Sequence, residues 1–271
     1  MITTLRYKIF RVVALVLIVL AFIVPIIWMV MAAFKTNVDI YDASKTLVFT
    51  PTWENFDKVF RQANFGQYII NSGVIAVAAT GLSLVLGVPA AFAMSRFVMN
   101  KSALIVLMAR VIPGVSLLVP WYYLFSQMGL VGTYWVLILA HMFVALPLIV
   151  YIMMGFFDGL PVELEESGQV DGLTPIGSFW HLMLPLSVPG MATSAILAFI
   201  FSWNNFMFAL VLSSSSTKTL PVAIYDFIGY ASIDWGALMA ASTVVTLPIM
   251  LMSLFAQKYI VSGLTAGATK G

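Results

Sequence analysis

Acidic side chains are concentrated in one polar segment of an otherwise apolar chain, between residues 158 and 190. Four of them lie within nine positions: Glu163, Glu165, Glu166 and Asp171. Pro161 suits the first turn of a helix, acids there complement the helix dipole, and Asp171-Gly172 is a helix stop. We predict a short helix, a tight turn and a second short helix ending at Pro185, which suits docking of a soluble partner. An ordinary solvated loop without a specific role is the alternative.

Other kinds of chemistry lack the residues that they need. The sequence has no cysteine, so it offers no disulfide, no thiolate metal site and no cysteine nucleophile. His141 and His181 are forty positions apart without a ligand cluster, and we predict no metal site. The sequence has no Gly-Lys pair and therefore no phosphate loop, so the chain is not expected to bind ATP itself. No convergent set of catalytic groups is present, and we predict no catalytic residue.

Composition places the chain in a membrane. Of its 271 residues 62% are hydrophobic and only 9% are charged, with a mean hydropathy of +1.03. Soluble domains carry about 25% charged residues. The net charge of +2 is too small to indicate nucleic acid as a partner. No polar segment is long enough to form a separate core, so we predict a single membrane domain over residues 1–271.

Six segments are long and apolar enough to span a bilayer, which takes roughly 20 residues. They are residues 12–34, 67–95, 102–124, 133–157, 191–212 and 236–257. The second is rich in alanine and glycine, which suits close packing of helices in lipid. The predicted fold class is therefore an all-α polytopic membrane protein with six transmembrane helices.

The basic residues predict the orientation. Arg6, Lys8 and Arg11 precede the first span and place the N-terminus in the cytoplasm. With six spans the C-terminus is then cytoplasmic as well, and seven basic residues lie inside against five outside. The first apolar run of 23 residues exceeds the ~7–15 of a signal peptide, so we interpret it as a retained anchor. This orientation places the acidic segment on the cytoplasmic side.

The acidic segment follows a recognisable order of residues: Glu166-Ser167-Gly168, then Asp171-Gly172, then Leu184-Pro185. This order resembles the cytoplasmic coupling loop of ABC-transporter permeases, in which Glu-Ala-Ala is followed by Asp-Gly and by Leu-Pro near the next span. Ser167 and Gly168 depart from the two alanines but stay small, which preserves close backbone approach. Gly168 weakens the helix by ~1 kcal/mol relative to alanine.

Further motifs extend the resemblance to most of the chain, from about Ile18 to Gly271. They are Asn71-Ser72, Ile112-Pro113, Val119-Pro120-Trp121-Tyr122, Ser202-Trp203-Asn204-Asn205-Phe206, Thr219-Leu220-Pro221-Val222 and the C-terminal residues 263–271. Together they resemble carbohydrate-uptake permeases of the maltose-transporter type. In that family the fifth-span motif usually has Glu at the position of Asn205, so this chain departs from the family by carrying an uncharged amide there.

The resemblance implies the permease subunit of an ATP-driven importer in a bacterial or archaeal plasma membrane. Its partners would be a second homologous permease, two ATP-binding subunits, a solute-binding protein, membrane lipid and a carbohydrate substrate. ATP would be bound by the partners, with no cofactor on this chain. The residues expected to couple to the ATPase are Glu163, Glu166, Ser167, Gly168, Asp171 and Gly172. A standalone channel or a polytopic membrane enzyme is the alternative.

Polar and aromatic residues within the apolar stretches are candidates for the substrate path: Asn71, Arg110, Trp203, Asn204 and Asn205. An arginine is costly in lipid, so Arg110 is expected to face the bundle interior, a cavity or a partner. Amides bond sugar hydroxyls, and an indole ring stacks on a sugar face. The alternatives are snorkelling or backbone contacts for Arg110 and hydrogen bonds between helices for the asparagines.

Overall fold

The computed structural model describes residues 5–230 and 232–268 and is built from helices. The α-helices are α1 (Leu5–Ala33), α2 (Asn37–Tyr41), α3 (Glu54–Asp57), α4 (Phe65–Arg96), α5 (Asn100–Met108), α6 (Leu118–Gln127), α7 (Tyr134–Asp158), α8 (Glu163–Val170), α9 (Pro175–Ser178), α10 (Leu184–Leu186), α11 (Val188–Trp203), α12 (Met207–Leu212), α13 (Leu220–Ala223) and α14 (Trp235–Ala268). Short 3₁₀ turns cover Ala43–Lys45, Gly114–Leu117 and Ile224–Phe227, and π-helical turns cover Lys58–Gln62 and Phe179–Met183. In the described part of the chain, Ile228 and Ile233 form an isolated β-bridge, and there is no strand.

Four of the predicted spans are confirmed as helices long and apolar enough to cross a membrane. They are Leu5–Ala33, Phe65–Arg96, Tyr134–Asp158 and Trp235–Leu254. A fifth candidate is a bent pair, Pro175–Leu186 with Val188–Trp203, whose two parts meet at 71°. Prolines inside α1, α4, α7 and α14 leave those helices continuous, as membrane helices tolerate.

The predicted span over residues 102–124 is interrupted and does not form one continuous helix. Helix α5 ends at Met108, and a 3₁₀ turn over Gly114–Leu117 precedes α6. Tight turns form where Arg110 N–H donates to the carbonyl of Leu107 at 3.0 Å. Pro113 has no N–H to donate and disfavours helical backbone in the residue before it, and Gly114 follows directly. The two residues come after the end of α5, so they oppose an immediate return to α-helix but do not by themselves set where α5 ends.

The predicted fifth span, residues 191–212, is also interrupted. Helix α11 ends at Trp203 and α12 begins at Met207. Asn205 accepts a hydrogen bond from the backbone N–H of Phe208 through its side-chain oxygen at 3.1 Å. Asparagine side chains compete with the helical backbone for such donors, which explains a break without a proline. The sequence had predicted Asn204 and Asn205 on one continuous helix. They lie instead in the break between α11 and α12.

The chain divides into two compact units, and the prediction of a single domain over residues 1–271 stays a prediction. The first unit holds residues up to Phe65 together with Ile224–Leu247. Its centre is Asn55, 2% exposed, which donates to the carbonyls of Ala33 at 2.9 Å and Lys35 at 2.7 Å. Gly236 packs against Asn55 so closely that a Cβ would lie 2.4 Å from its Oδ1. The end of α1, the start of α3 and the start of α14 therefore meet at Asn55.

The second unit, Gly66–Ala223 with the residues from Pro248 onward, contains the core around α4, α7 and α11. Small residues of α4 let it lie directly against α7. A Cβ at Gly87 would be 3.0 Å from Cγ2 of Ile149. Ala79 and Ala91 are fully buried in the same helix. This unit carries all the candidate coupling and substrate-path residues.

Candidate functional sites: a coupling arm and two helix breaks

The acidic segment forms a helix–turn–helix that we call the coupling arm, residues 158–190. Helix α8 has two faces, as its period predicts. Glu163, Glu166, Ser167 and Val170 are exposed on one face, with Val170 87% exposed. Glu165 and Gly168 lie on the opposite face, against the rest of the unit. The arm therefore presents two carboxylates, a hydroxyl and an apolar side chain on one surface.

Gly168 permits close packing of α8 on the second half of the arm. A Cβ at this position would be 2.6 Å from Cδ1 of Leu182 and 3.2 Å from Oγ of Ser178. Leu182 and Ser178 follow the turn, so the two halves of the arm touch at Gly168. A methyl group of Leu182 thus lies close to the space that the Cβ of the family's alanine would occupy at Gly168.

The turn between the two halves has the geometry of a Schellman motif. Gly172 has φ +90°, and its N–H donates to Gln169 at 3.0 Å while Leu173 N–H donates to Gly168 at 2.9 Å. Thr174 then caps α9, accepting from Gly177 N–H at 3.1 Å. Asp171, the residue before the turn, is exposed. The predicted helix stop at Asp171-Gly172 is confirmed by this geometry.

The reverse face of α8 carries an ion pair that sequence reasoning missed. Arg96, in the last turn of α4, pairs with Glu165, and each side chain is 12% exposed. The neighbouring Ser95 donates to the carboxylate of Asp158, the last residue of α7. Glu165 was visible only as one of four acids. The signal that distinguishes it is its position, since α8 turns it away from Glu163 and Glu166.

The two helix breaks meet at one aromatic ring. A Cβ on Gly114, in the first break, would be 3.3 Å from Cζ of Phe208. Phe208 follows the second break, and its N–H is bonded to Asn205. Trp121 stacks on the same ring at a centroid distance of 5.2 Å. Arg110 in the first break and Asn204 in the second are both exposed in this chain.

Two other substrate-path candidates are buried in the protein. Trp203 is 4% exposed and stacks on Phe199 with ring centroids 5.7 Å apart. Asn71 is fully buried, and its side-chain NH₂ donates to the carbonyls of Ser216 at 3.0 Å and Lys218 at 2.8 Å.

The amide oxygen of Asn71 accepts from Gln67 at 2.9 Å and from the Tyr134 hydroxyl at 2.7 Å. All four hydrogen-bonding positions of the amide are thus used within the protein. The adjacent Ser72 accepts from Leu220 N–H at 2.8 Å. The Asn71-Ser72 motif and the Thr219-Leu220-Pro221 motif therefore hold each other in place.

His141 is a residue of α7, and its side chain contacts α11. Its Nδ1 is 2.7 Å from the hydroxyl of Ser202, and both side chains are buried. Within the described residues, no group of three or more His, Cys, Asp or Glu side chains could hold a metal ion. The hydrogen bond between His141 and Ser202 therefore links α7 to α11.

Comparison with known proteins decides the family. Residues 83–266 match the family model described as the binding-protein-dependent transport system inner membrane component. The chain belongs to this family. The match includes the coupling arm and both helix breaks, so the features described above lie in the part of the chain that defines the permease family.

Individual permeases of the family are similar over nearly the whole chain. The trehalose/maltose transport system permease protein MalG of Thermococcus litoralis is 35% identical over 271 residues, 97% of each chain. The trehalose transport system permease protein SugB of Mycobacterium tuberculosis is 35% identical, over 92% of this chain and 93% of that protein.

A solved structure shows that the permease fold extends along the chain. It is the crystal structure of a bacterial ABC transporter involved in the import of the acidic polysaccharide alginate, with a TM-score of 0.81 at 19% identity. The alignment covers 96% of this chain and 99% of that one. The chain therefore has the ABC importer permease fold. The family match and the relatives above make it a membrane-spanning permease, a transport subunit.

Proposed function

We propose that this chain is the permease subunit of an ATP-driven ABC importer that translocates a carbohydrate delivered by a solute-binding protein. The observation that carries the proposal is a permease fold whose exposed acidic arm is firmly attached to the spanning helices behind it. The relatives named above transport trehalose or maltose by name, which supports a carbohydrate as the substrate class. A second permease and two ATP-binding subunits complete the proposed importer.

In the proposed topology, six spans cross an inner membrane with both termini in the cytoplasm. Four long helices supply four of them. Helix α11 together with α12 supplies the fifth, because the first half of the bent pair, Pro175–Leu186, belongs to the coupling arm. The interrupted segment from α5 to α6 supplies the remaining one, since membrane helices may be broken where neighbouring protein satisfies the backbone. The coupling arm then lies on the cytoplasmic side. ATP binding belongs to the partners, because the sequence lacks a phosphate loop.

The coupling arm is the proposed docking site for an ATP-binding subunit. Glu163 and Glu166 offer charge-assisted hydrogen bonds to basic groups, and Val170 adds apolar contact. The Schellman turn at Gly172 keeps Asp171 beside this surface. Ser167 and Gly168 complete the set, Ser167 on the docking face and Gly168 on the packing face.

The paired helix breaks are the proposed wall of the translocation path. Non-helical backbone at membrane depth is tolerated only where it is buried in protein or lines a water-filled cavity. Arg110 and Asn204 lie in the two breaks and are exposed in this chain. Asn205 caps the start of α12, while Trp203 and Asn71 are committed to internal contacts, so we assign those three residues to the scaffold of the path.

A standalone channel or a membrane enzyme is not favoured. A channel needs no docking arm, and an enzyme needs a convergent set of catalytic groups. The hydroxyl beside the exposed carboxylates, that of Ser167, donates to the backbone carbonyl of Leu164 at 2.9 Å and is therefore engaged within its own helix. The family match gives the same answer, because its members are components of transport systems.

Co-purification combined with a ligand screen tests the proposed function. The tagged chain, expressed with the rest of its transport system, is expected to bring down a second permease and an ATP-binding subunit from detergent extracts. The partner binding protein is expected to show a rise in Tm with one member of a carbohydrate library. Absence of an ATP-binding subunit, or stabilisation by amino acids and not by sugars, would contradict the proposal.

Replacing Arg110 with alanine is expected to reduce uptake without loss of assembly. The guanidinium lies in a break and makes no hydrogen bond or ion pair with the described residues, so its removal costs the fold little. Uptake rates and co-purified ATPase, measured side by side, check this. Equal loss of transport and assembly would assign Arg110 a structural role.

Alanine at Asn204 and at Asn205 is expected to give two different defects. Asn204→Ala is expected to raise the substrate concentration for half-maximal uptake about fivefold, because a hydrogen bond to a sugar contributes ~1 kcal/mol. Asn205→Ala is expected to lower Tm, because α12 loses its cap. A substrate titration of uptake and a melting curve for each variant check the pair. If neither variant changes the dependence of uptake on substrate concentration, the sugar does not bind at these two residues.

A further inference from the structure

Two neighbouring residues at the end of α4 hold the whole connection between α7 and α8. Ser95 donates to Asp158 at the end of α7. Arg96 donates through Nη2 to the carbonyl of Leu160 at 3.3 Å, in the middle of the connection. Its Nε pairs with Glu165 in the first turn of α8. The coupling arm is thus attached at three successive points to one spanning helix.

Burial makes the Arg96–Glu165 pair stiff. Both side chains are 12% exposed, so the pair is weakly screened and its geometry is fixed by surrounding protein. The Arg61–Asp57 pair provides a contrast, with side chains 81% and 52% exposed, and exposed pairs of this kind contribute little. Arg96 also lies in the last turn of α4, where a cation complements the helix dipole.

Movement of α8 has a direct route into the membrane-spanning core. Gly87 of α4 lies so close to Ile149 of α7 that a Cβ on the glycine would be 3.0 Å from Cγ2 of the isoleucine. Close-packed interiors have low compressibility and transmit strain, so a displacement at the end of α4 is passed on to this contact. Whatever moves the end of α4 therefore moves the interface between α4 and α7.

We propose that Arg96 and Glu165 are positioning residues that make α8 and the end of α4 one moving body. The inference rests on the proposed function, because it says how a displacement of the docked ATP-binding subunit reaches the spans. The docking face of α8 receives the displacement, and the reverse face passes it to α4 through the buried pair. The contacts of Arg96 with Leu160 and Glu165 carry this assignment.

Spin-label distances within this chain test the proposal. The natural sequence has no cysteine, so Phe97→Cys and Gln169→Cys give one label on each side of the pair, both at exposed positions. The assembled importer is measured in nanodiscs without nucleotide and after trapping with ATP and vanadate. One narrow distance population, unchanged by nucleotide, is expected. A shift of this distance on trapping would overturn the proposal.

Variants of the pair give the second half of the test. Arg96→Gln is expected to widen the distance distribution at least twofold, and the exchange Arg96→Glu with Glu165→Arg is expected to narrow it again. Arg61→Gln removes an exposed arginine and serves as the matched control, with no widening expected. A distribution for Arg96→Gln as narrow as that of the unsubstituted chain would also overturn the proposal.

The design separates this inference from the proposed function. Both labels are on this chain, so the comparison of Arg96→Gln with the unsubstituted protein judges the pair even if no ATP-binding subunit co-purifies. Failure of co-purification would count against the proposed function alone. Where Arg96→Gln does not accumulate, Glu165→Gln is measured in its place with the same two expected outcomes.

Discussion

Glu166→Lys is expected to abolish ATP-driven uptake while the protein still inserts into the membrane at normal levels. Glu166 is exposed on the docking face of α8 and makes no ion pair within the described residues, so its reversal costs the fold little. At an interface, like charges placed together cost several kcal/mol, and each 1.4 kcal/mol is tenfold in binding. A loss of more than about 30-fold in ATPase association and in uptake follows.

Glu54→Lys is the matched control for this charge reversal. Glu54 is an exposed acid in the first turn of α3, in the other unit, and among the described residues it pairs with Lys58 alone, a weak i,i+4 pair. Uptake close to that of the unsubstituted protein is expected.

Gly172→Asp tests the backbone of the coupling arm and is expected to reduce uptake, since φ +90° is strained for any side chain. Gly172→Asn is expected to have a milder effect. Normal uptake with both Glu166→Lys and Gly172→Asp would contradict the docking assignment.

Asn71→Leu is expected to destabilise the second unit more than any substitution in the helix breaks. Two backbone carbonyls, a tyrosine hydroxyl and a glutamine amide lose their partner together. Each buried polar group left unsatisfied costs about 1–3 kcal/mol. A fall in Tm of at least about 5 °C is expected from fluorescence-monitored melting in detergent.

Thr80→Val is the matched control for Asn71→Leu, on the same helix. The Thr80 hydroxyl is buried and has no hydrogen-bond partner among the residues that the structure describes, so an isosteric apolar replacement is expected to be neutral or stabilising. Any Asn71→Leu protein that folds is expected to keep its dependence on substrate concentration. A change in that dependence at unchanged Tm would return Asn71 to the substrate path.

The long spans were predictable because each is a run of apolar residues that matches the thickness of a bilayer. Helix α4 was expected at residues 67–95 and is Phe65–Arg96, and α7 was expected at 133–157 and is Tyr134–Asp158. The stop at Gly172 was predictable as well, since a glycine after an acidic helix supplies the left-handed residue of a Schellman turn.

The breaks were not predictable, because hydropathy does not register them. Prolines lie inside four continuous helices, at Pro25, Pro89, Pro147 and Pro248, so a proline alone does not mark an interruption. The second break has no proline, and it depends on the bond from Phe208 N–H to Asn205. Such local competition is decided by the packing around Phe208, which the sequence does not display.

Contacts between distant residues were also beyond the sequence. Arg96 and Glu165 are 69 positions apart, and Asn71 reaches the carbonyls of residues more than 140 positions away. Sequence reasoning left Asn71 between substrate contact and helix packing. Its four satisfied hydrogen bonds favour packing, which only the fold could reveal.

Uptake into reconstituted vesicles tests the central claim most directly. The chain, its partner permease, its ATP-binding subunits and its sugar-loaded binding protein are placed in vesicles with ATP on the side of the coupling arm. The predicted result is accumulation of the labelled sugar that needs ATP and the binding protein and is lost with Glu166→Lys. Accumulation without ATP, or unchanged in the Glu166→Lys protein, would contradict the account.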